Sequence, residues 1–211
     1  MSRKTKRPRN KRLKPDVRKD IILDKTAALI AREGISAVSM ERVAREAEIS
    51  KPLVYVYFSN KTTLLRELLL REQHRLSDLQ AKAVSKAKDF EDLIRLTTRT
   101  YLKHVEANGV HIQRLMNEPS VSVAFEEEDR KGRRQAVEFL ASEVSRSFGV
   151  PRKTAELAAE LSMGMTGFAG EMISRGVVSR RKIEEINICL AMGCVAALTD
   201  KYGKAPTPSK A

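Results

Sequence analysis

Apolar residues recur along this chain with the period of a helix, and no stretch alternates as a strand would. Ile22, Thr26, Leu29 and Ile30 fall at i, i+4, i+7 and i+8, one face of a helix of 3.6 residues per turn. They predict an amphipathic helix from Val17 to Glu33, with Gly34 just past its end, where a glycine commonly closes a helix. Ser39 is placed to cap a short second helix, Met40 to Ala47, that turns Val43, Ala44 and Ala47 inward. The turn Glu48-Ile49-Ser50 leads to a third helix, Lys51 to Phe58, with Ser50 as N-cap. Pro52 sits in its first turn, where a missing N–H costs nothing. Val54 and Phe58 read as core. Two short helices joined by a tight turn are the helix-turn-helix pattern.

Longer helices follow. Ser59 or Asn60 caps one that runs from Lys61 through Leu64, Leu65, Leu68 and Leu69 toward Leu79. Another spans about Phe90 to Ala107 and ends near Asn108-Gly109; a short one covers His111 to Asn117, before Pro119. A fourth runs from about Val123 to Phe148, stopped by Gly149 and Pro151, and residues 152–175 and 179–201 make the last two. The fold class is therefore all-α. Its organisation reads as a basic arm (1–15), a helix-turn-helix domain (16–61), a helical domain (62–202) and a flexible tail (203–211).

Charge changes this picture. The 211 residues carry a net charge of +13, and residues 1–61 hold 16 Lys/Arg against 7 Asp/Glu, a local +9. Residues 1–15 have eight basic side chains and no acidic one, which predicts a disordered arm. A cationic field concentrated in one segment points to a polyanion, although cationic surface alone also fits RNA, anionic lipid or solubility. The arm is either a solubilising tail or a phosphate or minor-groove contact. Composition adds less. With no Trp and 5% aromatics, the core must rest on Leu, Ile, Val, Met and Ala, which suits helix-on-helix packing. Cys189 and Cys194 lie five apart on different faces of a helix; they predict neither disulfide nor metal pair, but buried small apolar residues. No apolar run reaches membrane-spanning length and no signal-peptide core follows the basic N-terminus, so a cytoplasmic protein is expected.

Within Ile22–Leu65 the residues Ile22-Leu23, Gly34, Ser39-Met40-Glu41-Arg42-Val43-Ala44, Ala47-Glu48-Ile49-Ser50-Lys51, Val54-Tyr55-Val56-Tyr57-Phe58, Lys61 and Leu64-Leu65 stand in one register. This segment resembles the TetR family of transcriptional regulators. The resemblance implies a repressor that binds a palindromic operator in double-stranded DNA as a homodimer and is released by a small-molecule effector. In a helix-turn-helix the third helix enters the major groove with its N-terminal residues at base edges, here Ser50, Lys51, Pro52 and Leu53. Lys51 can donate to guanine O6/N7 or to a phosphate, and Leu53 offers apolar contact to a thymine methyl. The resemblance implies that the phenols of Tyr55 and Tyr57 reach the DNA backbone; the alternative is packing within the small domain. Lys61 opens the fourth helix, where its charge opposes the helix dipole unless an anion is near, and the resemblance places a phosphate there. Arg42 is a further backbone candidate or else a surface charge; Ser39 is chiefly a cap that can also donate to phosphate. Two departures stand out. Glu48 occupies a turn position where the family usually has Gly, and Leu53 and Val56 stand where polar residues are usual.

The resemblance implies that the later helices dimerise and sense a signal. Ala158, Ala159, Gly164, Gly167, Ala169 and Gly170 are interspersed with Leu161, Met163, Met165, Phe168 and Met172; the final helix carries Ile183, Ile186, Leu190, Met192, Val195 and Leu198. Small residues let helices approach closely, and the apolar positions exceed one buried stripe. A two-fold interface through the last two helices follows, the alternative being a monomeric core. Leu96, Tyr101, His104, Ile112, Leu115, Met116, Phe139, Met163, Phe168 and Met172 could line a pocket for a small apolar effector, or simply be core. His104 and His111 have no carboxylate-rich companion motif, so no metal and no cofactor are expected. Glu126 to Arg134 reads as a solvated helical face. No catalytic constellation is visible, which argues against an enzyme. The competing reading is a DNA-binding protein of the same fold that is partner-regulated or DNA-organising and has no ligand.

Overall fold

The computed structural model describes residues 14–203, less the side chains of Ala124, Phe125 and Glu128. All but the last two residues of the expected basic arm, and all but the first of the expected tail, lie outside the described residues. Eight α-helices and one 3-10 turn make up the described chain, without a strand: α1 (Pro15–Glu33), the turn (Ile35–Ala37), α2 (Met40–Glu46), α3 (Lys51–Tyr57), α4 (Lys61–Val84), α5 (Phe90–Met116), α6 (Pro119–Phe148), α7 (Arg152–Ser174) and α8 (Arg180–Tyr202). The chain divides into two compact units, one ending at Leu68 and the other beginning at Leu69.

In the first unit the apolar period does what it predicts. Ile22, Leu23, Thr26, Leu29 and Ile30 are buried on one face of α1. Thr26 satisfies its hydroxyl by donating to the Ile22 carbonyl at 2.8 Å. Val43, Ala44 and Ala47 turn inward from α2, Val54 and Phe58 from α3, and Leu64, Leu65 and Leu68 from the start of α4. Two caps are in place: Ser39 Oγ accepts from the Arg42 N–H at 3.1 Å and Asn60 Oδ1 from the Thr63 N–H at 2.9 Å. The third expected cap is not made. Ser50 occupies the N-cap position of α3 without a side-chain capping bond. A serine cap bonds the second or third helical N–H; here the second belongs to Pro52, which has none, and the third, of Leu53, goes to the Ser50 carbonyl at 3.0 Å.

The second unit packs α6 on α7, and α5 on both α7 and α8. One buried cluster joins Ala141, Val144, Val150, Ala155 and Val195, with Phe90, Phe148 and Leu198 against it. Several boundaries move from the expected ones. Pro15 and Pro119 take the first positions of α1 and α6, so both helices start earlier than expected, as a residue needing no N–H partner allows. α4 runs on to Val84. The break expected at Asn108-Gly109 does not exist: α5 is one helix from Phe90 to Met116. Gly109 is a packing notch instead of a terminator. It is buried, and a Cβ there would collide with the Ser174 side chain and come to 3.0 Å from Val105 Cγ1. The cysteines also differ from expectation. Cys189 is exposed and Cys194 half-buried, because the face of α8 that carries Cys189 and Leu190 is not covered by the described residues.

Glu48 has φ +53° and is the one described non-glycine residue in the left-handed region. The turn between α2 and α3 therefore does demand the backbone that Gly adopts freely, and Glu bears a cost of about 1 kcal/mol there. Glu48→Gly is expected to raise stability by roughly 0.5–1 kcal/mol, read as a higher urea midpoint at unchanged m. Gly109→Leu inserts a good helix former, so any loss is steric; a fall of about 1–3 kcal/mol is expected in the same titration.

Candidate nucleic-acid interface

A seven-residue helix has too few internal hydrogen bonds to persist alone, so α3 is held by what it buries. Val54 and Phe58, one turn apart, are fully buried. Lys19 Nζ lies 5.9 Å from the Phe58 ring centroid, and α2 packs directly on α3. That anchoring leaves the opposite face in solvent. Lys51, Pro52, Tyr55 and Val56 are exposed, Val56 at 76% and Tyr55 at 44%. Leu53 and Tyr57 are half-buried. The apolar side chain standing furthest out is thus Val56, not Leu53. Helical rotation explains it, since Val56 sits half a turn from Val54 while Leu53 is only one step along from it.

The cations expected at DNA are already partnered. Arg42 Nη2 donates to Glu33 at 2.8 Å and Arg42 Nε to Glu46 at 2.9 Å. Arg32 reaches the same two carboxylates. Hydrogen bonding to Arg32 holds the Glu33 carboxyl below the usual carboxylate range, and bonding to Arg42 does the same for Glu46. Arg42 therefore clamps α1 to α2 in the free protein. The i,i+4 spacing of Arg42 and Glu46 was the available signal. Lys61 Nζ donates to the Ile35 carbonyl at 3.0 Å, tying the start of α4 to the 3-10 turn. That acceptor is neutral, so the positive charge at this helix start is not compensated by it.

At the mouth of α3, Lys51 Nζ is ion-paired with Glu41 of α2 and lies 6.0 Å from the Tyr55 ring centroid. The hydrogen bond between the two side chains raises the Lys51 ammonium above, and lowers the Glu41 carboxyl below, their ordinary values. Ser39, whose Oγ caps α2, also lies beside Glu41. Ser39, Glu41, Lys51 and Tyr55 thus share one solvent-facing surface, with the uncapped Ser50 hydroxyl next to Lys51 in sequence. Pattern reading did not single out Glu41. Only the packing of α2 on α3 brings it to Lys51.

In the second unit the residues considered for a pocket are dispersed. Leu115 and His104 are buried; Leu96, Tyr101, Ile112, Met116, Met163 and Met172 are half-buried. Phe168 is 62% exposed on the outer side of α7. Phe139 lines a separate open groove of about 490 Å³ with Phe90, Leu93, Lys88 and Arg146. Tyr101 packs at 3.1 Å from where a Gly170 Cβ would stand, and burial pushes its phenol pKa up. One residue absent from the sequence reading is Glu72, 2% exposed. Its Oε1 accepts from Arg71 at 2.9 Å and Arg75 at 3.2 Å, whereas Oε2 has no partner. Burial lowers the pKa of both His104 and His111, against an opposing influence of the Glu72 charge. His111 Nε2 is also unpartnered. Glu72 follows Leu65, Leu68 and Leu69 on their apolar stripe, a carboxylate where the period calls for Leu, and that was its legible signal. Among the described residues no group of three or more His, Cys, Asp or Glu side chains could hold a metal, and no helix is long and apolar enough to cross a membrane.

Comparison with known proteins bears on the module and on the fold. Residues 22–68 match the family described as bacterial regulatory proteins, tetR family. The chain is 40% identical over 50 residues to an uncharacterized HTH-type transcriptional regulator of Haemophilus influenzae. It is 33% identical over 79 residues to the HTH-type transcriptional repressor SCO4008 of Streptomyces coelicolor. These matches span 24% and 37% of this chain, and only 27% and 38% of the two relatives' own lengths. The fold is similar over far more. A TetR-like transcriptional regulator from Rhodococcus superposes with TM-score 0.68 at 23% identity, over 88% of this chain and 99% of that one. The fatty acid degradation regulator FadR of Bacillus halodurans does so with TM-score 0.68 at 17% identity, over 86% and 96%. Residues 22–68 thus carry the module of the tetR family of bacterial regulatory proteins, within a fold similar to that of such regulators.

Proposed function

We propose that this protein is a DNA-binding transcriptional regulator, a repressor that acts as a homodimer on a palindromic operator and is released by a small, largely apolar effector. The observation that carries the reading is the outer face of α3. Lys51, Pro52, Tyr55 and Val56 are solvent-exposed on a helix whose other face is anchored by Val54 and Phe58, in the element that enters the major groove of a helix-turn-helix. Base edges fall to Ser50, Lys51, Pro52 and Leu53, joined by Val56; Tyr55, Tyr57, Lys61 and Ser39 supply the phosphate contacts. Arg42 contributes by holding α1 and α2 together. The kinship with SCO4008, a repressor by name, supports the direction of regulation.

Dimerisation is supported by the outer faces of α7 and α8. Leu157, Leu161 (71% exposed) and Phe168 stand in solvent on α7, and Ile186 and Leu190 on α8. Spacings of four and seven on α7, and of four on α8, put each set on one helical face. Gly164 and Gly193 have nothing within 4 Å of a would-be Cβ, which leaves room for a close helix. Exposed apolar stripes of this kind mark interaction sites, and a second copy gives an isologous four-helix contact. Two modules also read enough bases for a specific site, which one short helix does not. The effector reading is supported by the half-buried Tyr101, Ile112, Met116, Met163 and Met172, mostly apolar side chains of adaptable shape, and by the unpartnered buried atoms of Glu72 and His111 in the same unit. Release then requires the effector to bind the non-DNA-binding state better.

Tyr55→Phe is expected to weaken binding to every DNA sequence about three- to tenfold, the worth of one hydrogen bond. Lys61→Ala should weaken it uniformly and reduce the slope of log K against log salt by about 1. Lys51→Ala should instead change the preferred sequence. Gel-shift titrations with wild-type affinity for all three would refute the interface. Leu161→Glu is expected to yield monomers in sedimentation and to lower operator affinity at least about tenfold, because paired half-sites are lost. A variant that stays dimeric would place the interface elsewhere.

A further inference from the structure

The acidic side chain in the reading surface calls for its own account. Glu41 is exposed and projects from the first turn of α2 beside Lys51, Ser39 and Tyr55, so it faces whatever Lys51 faces. A carboxylate presented to DNA phosphates is repelled by them and loses hydration, and it recovers this only where a hydrogen-bond donor meets it. In the major groove such donors are the exocyclic amino groups of the bases, and carboxylates pair with cytosine N4. Phosphates and the O6, N7 and O4 positions are acceptors and offer Glu41 nothing, whereas they are what Lys51 seeks. The pair therefore presents an acceptor and a donor side by side, which a guanine and a cytosine together complement.

Resting on the DNA-binding reading above, we propose that Glu41 is a specificity-determining residue: it accepts from a cytosine amino group next to the guanine that Lys51 reads, and it penalises binding to all other DNA. In free protein the Glu41–Lys51 contact holds the two side chains over one another and keeps the ammonium from engaging phosphates indiscriminately. At the cognate step both charges find base partners and the pair opens. Exposed ion pairs of this kind contribute at most about 1 kcal/mol, so the exchange is easily driven by the contacts that replace it. If Glu41 were only a partner for Lys51, its removal would shift stability and leave base preference alone.

The test is selection of random double-stranded DNA by the full-length protein, followed by anisotropy titrations on selected and scrambled duplexes at several salt concentrations. Wild type should enrich a half-site with a cytosine and a guanine at neighbouring or paired positions. Glu41→Ala should lose the cytosine preference, bind scrambled DNA several-fold tighter, and show a selected-to-scrambled ratio about tenfold smaller, the scale of one base contact. Glu41→Gln should move the preference toward adenine, whose N6 and N7 suit an amide. The exposed position keeps both variants folded, checked by thermal melts. The same enriched site and an unchanged ratio for Glu41→Ala would overturn the role of Glu41 alone. Failure of wild type to enrich any sequence would overturn the DNA-binding reading itself.

Discussion

Everything proposed for the first unit depends on the burial of Val54 and Phe58. α3 has seven residues, and its Ser50 cap makes no side-chain bond because Pro52 removes the N–H it would use. Its position therefore comes from tertiary packing. Two apolar side chains one turn apart fix which face is inner, and so which residues stand out toward a ligand. Had the buried pair been shifted by one residue, Tyr55 would be core and Val54 would move to its half-buried edge, where Leu53 now stands relative to Val54. The reading surface is a consequence of the core, not an addition to it.

The charges of that unit follow a second constraint. A segment with so many basic side chains repels itself, and the structure relieves this with a few acids placed inside the cationic field. Glu33 and Glu46 hold Arg32 and Arg42 at the junction of α1 and α2, which makes both guanidinium groups part of the scaffold. Glu41 holds Lys51 at the exposed start of α3. Net charge draws the protein to a polyanion; the embedded carboxylates decide which cations stay available for it.

The second unit inverts the usual distribution of polarity at two places. Glu72 is a carboxylate inside, flanked by Arg71 and Arg75 and close enough to the buried histidines for its charge to act on them. Leu157, Leu161 and Phe168 are apolar residues outside. Neither arrangement lowers the free energy of a solitary chain. A buried atom without a partner costs about 1–3 kcal/mol, and exposed apolar stripes favour association. Both are intelligible for a unit that binds something, within itself at one place and on its outer face at the other.

The helical period, the caps at Ser39 and Asn60, and the inward positions of α1 to α4 were all legible in the sequence, because they are local properties of side chains at fixed spacing. The helix-turn-helix register was legible for the same reason, down to the strained turn position at Glu48. What the sequence could not determine was which residues from different elements would meet. Gly109 reads as a terminator until α7 is seen to need its missing side chain. Arg42 and Lys51 read without partners until Glu33, Glu46 and Glu41 are brought to them, and the greater exposure of Val56 than of Leu53 follows only from how α3 is rotated onto its core. Local propensity is written along the chain; partnership across elements depends on how the helices pack, and only the tertiary structure decides that.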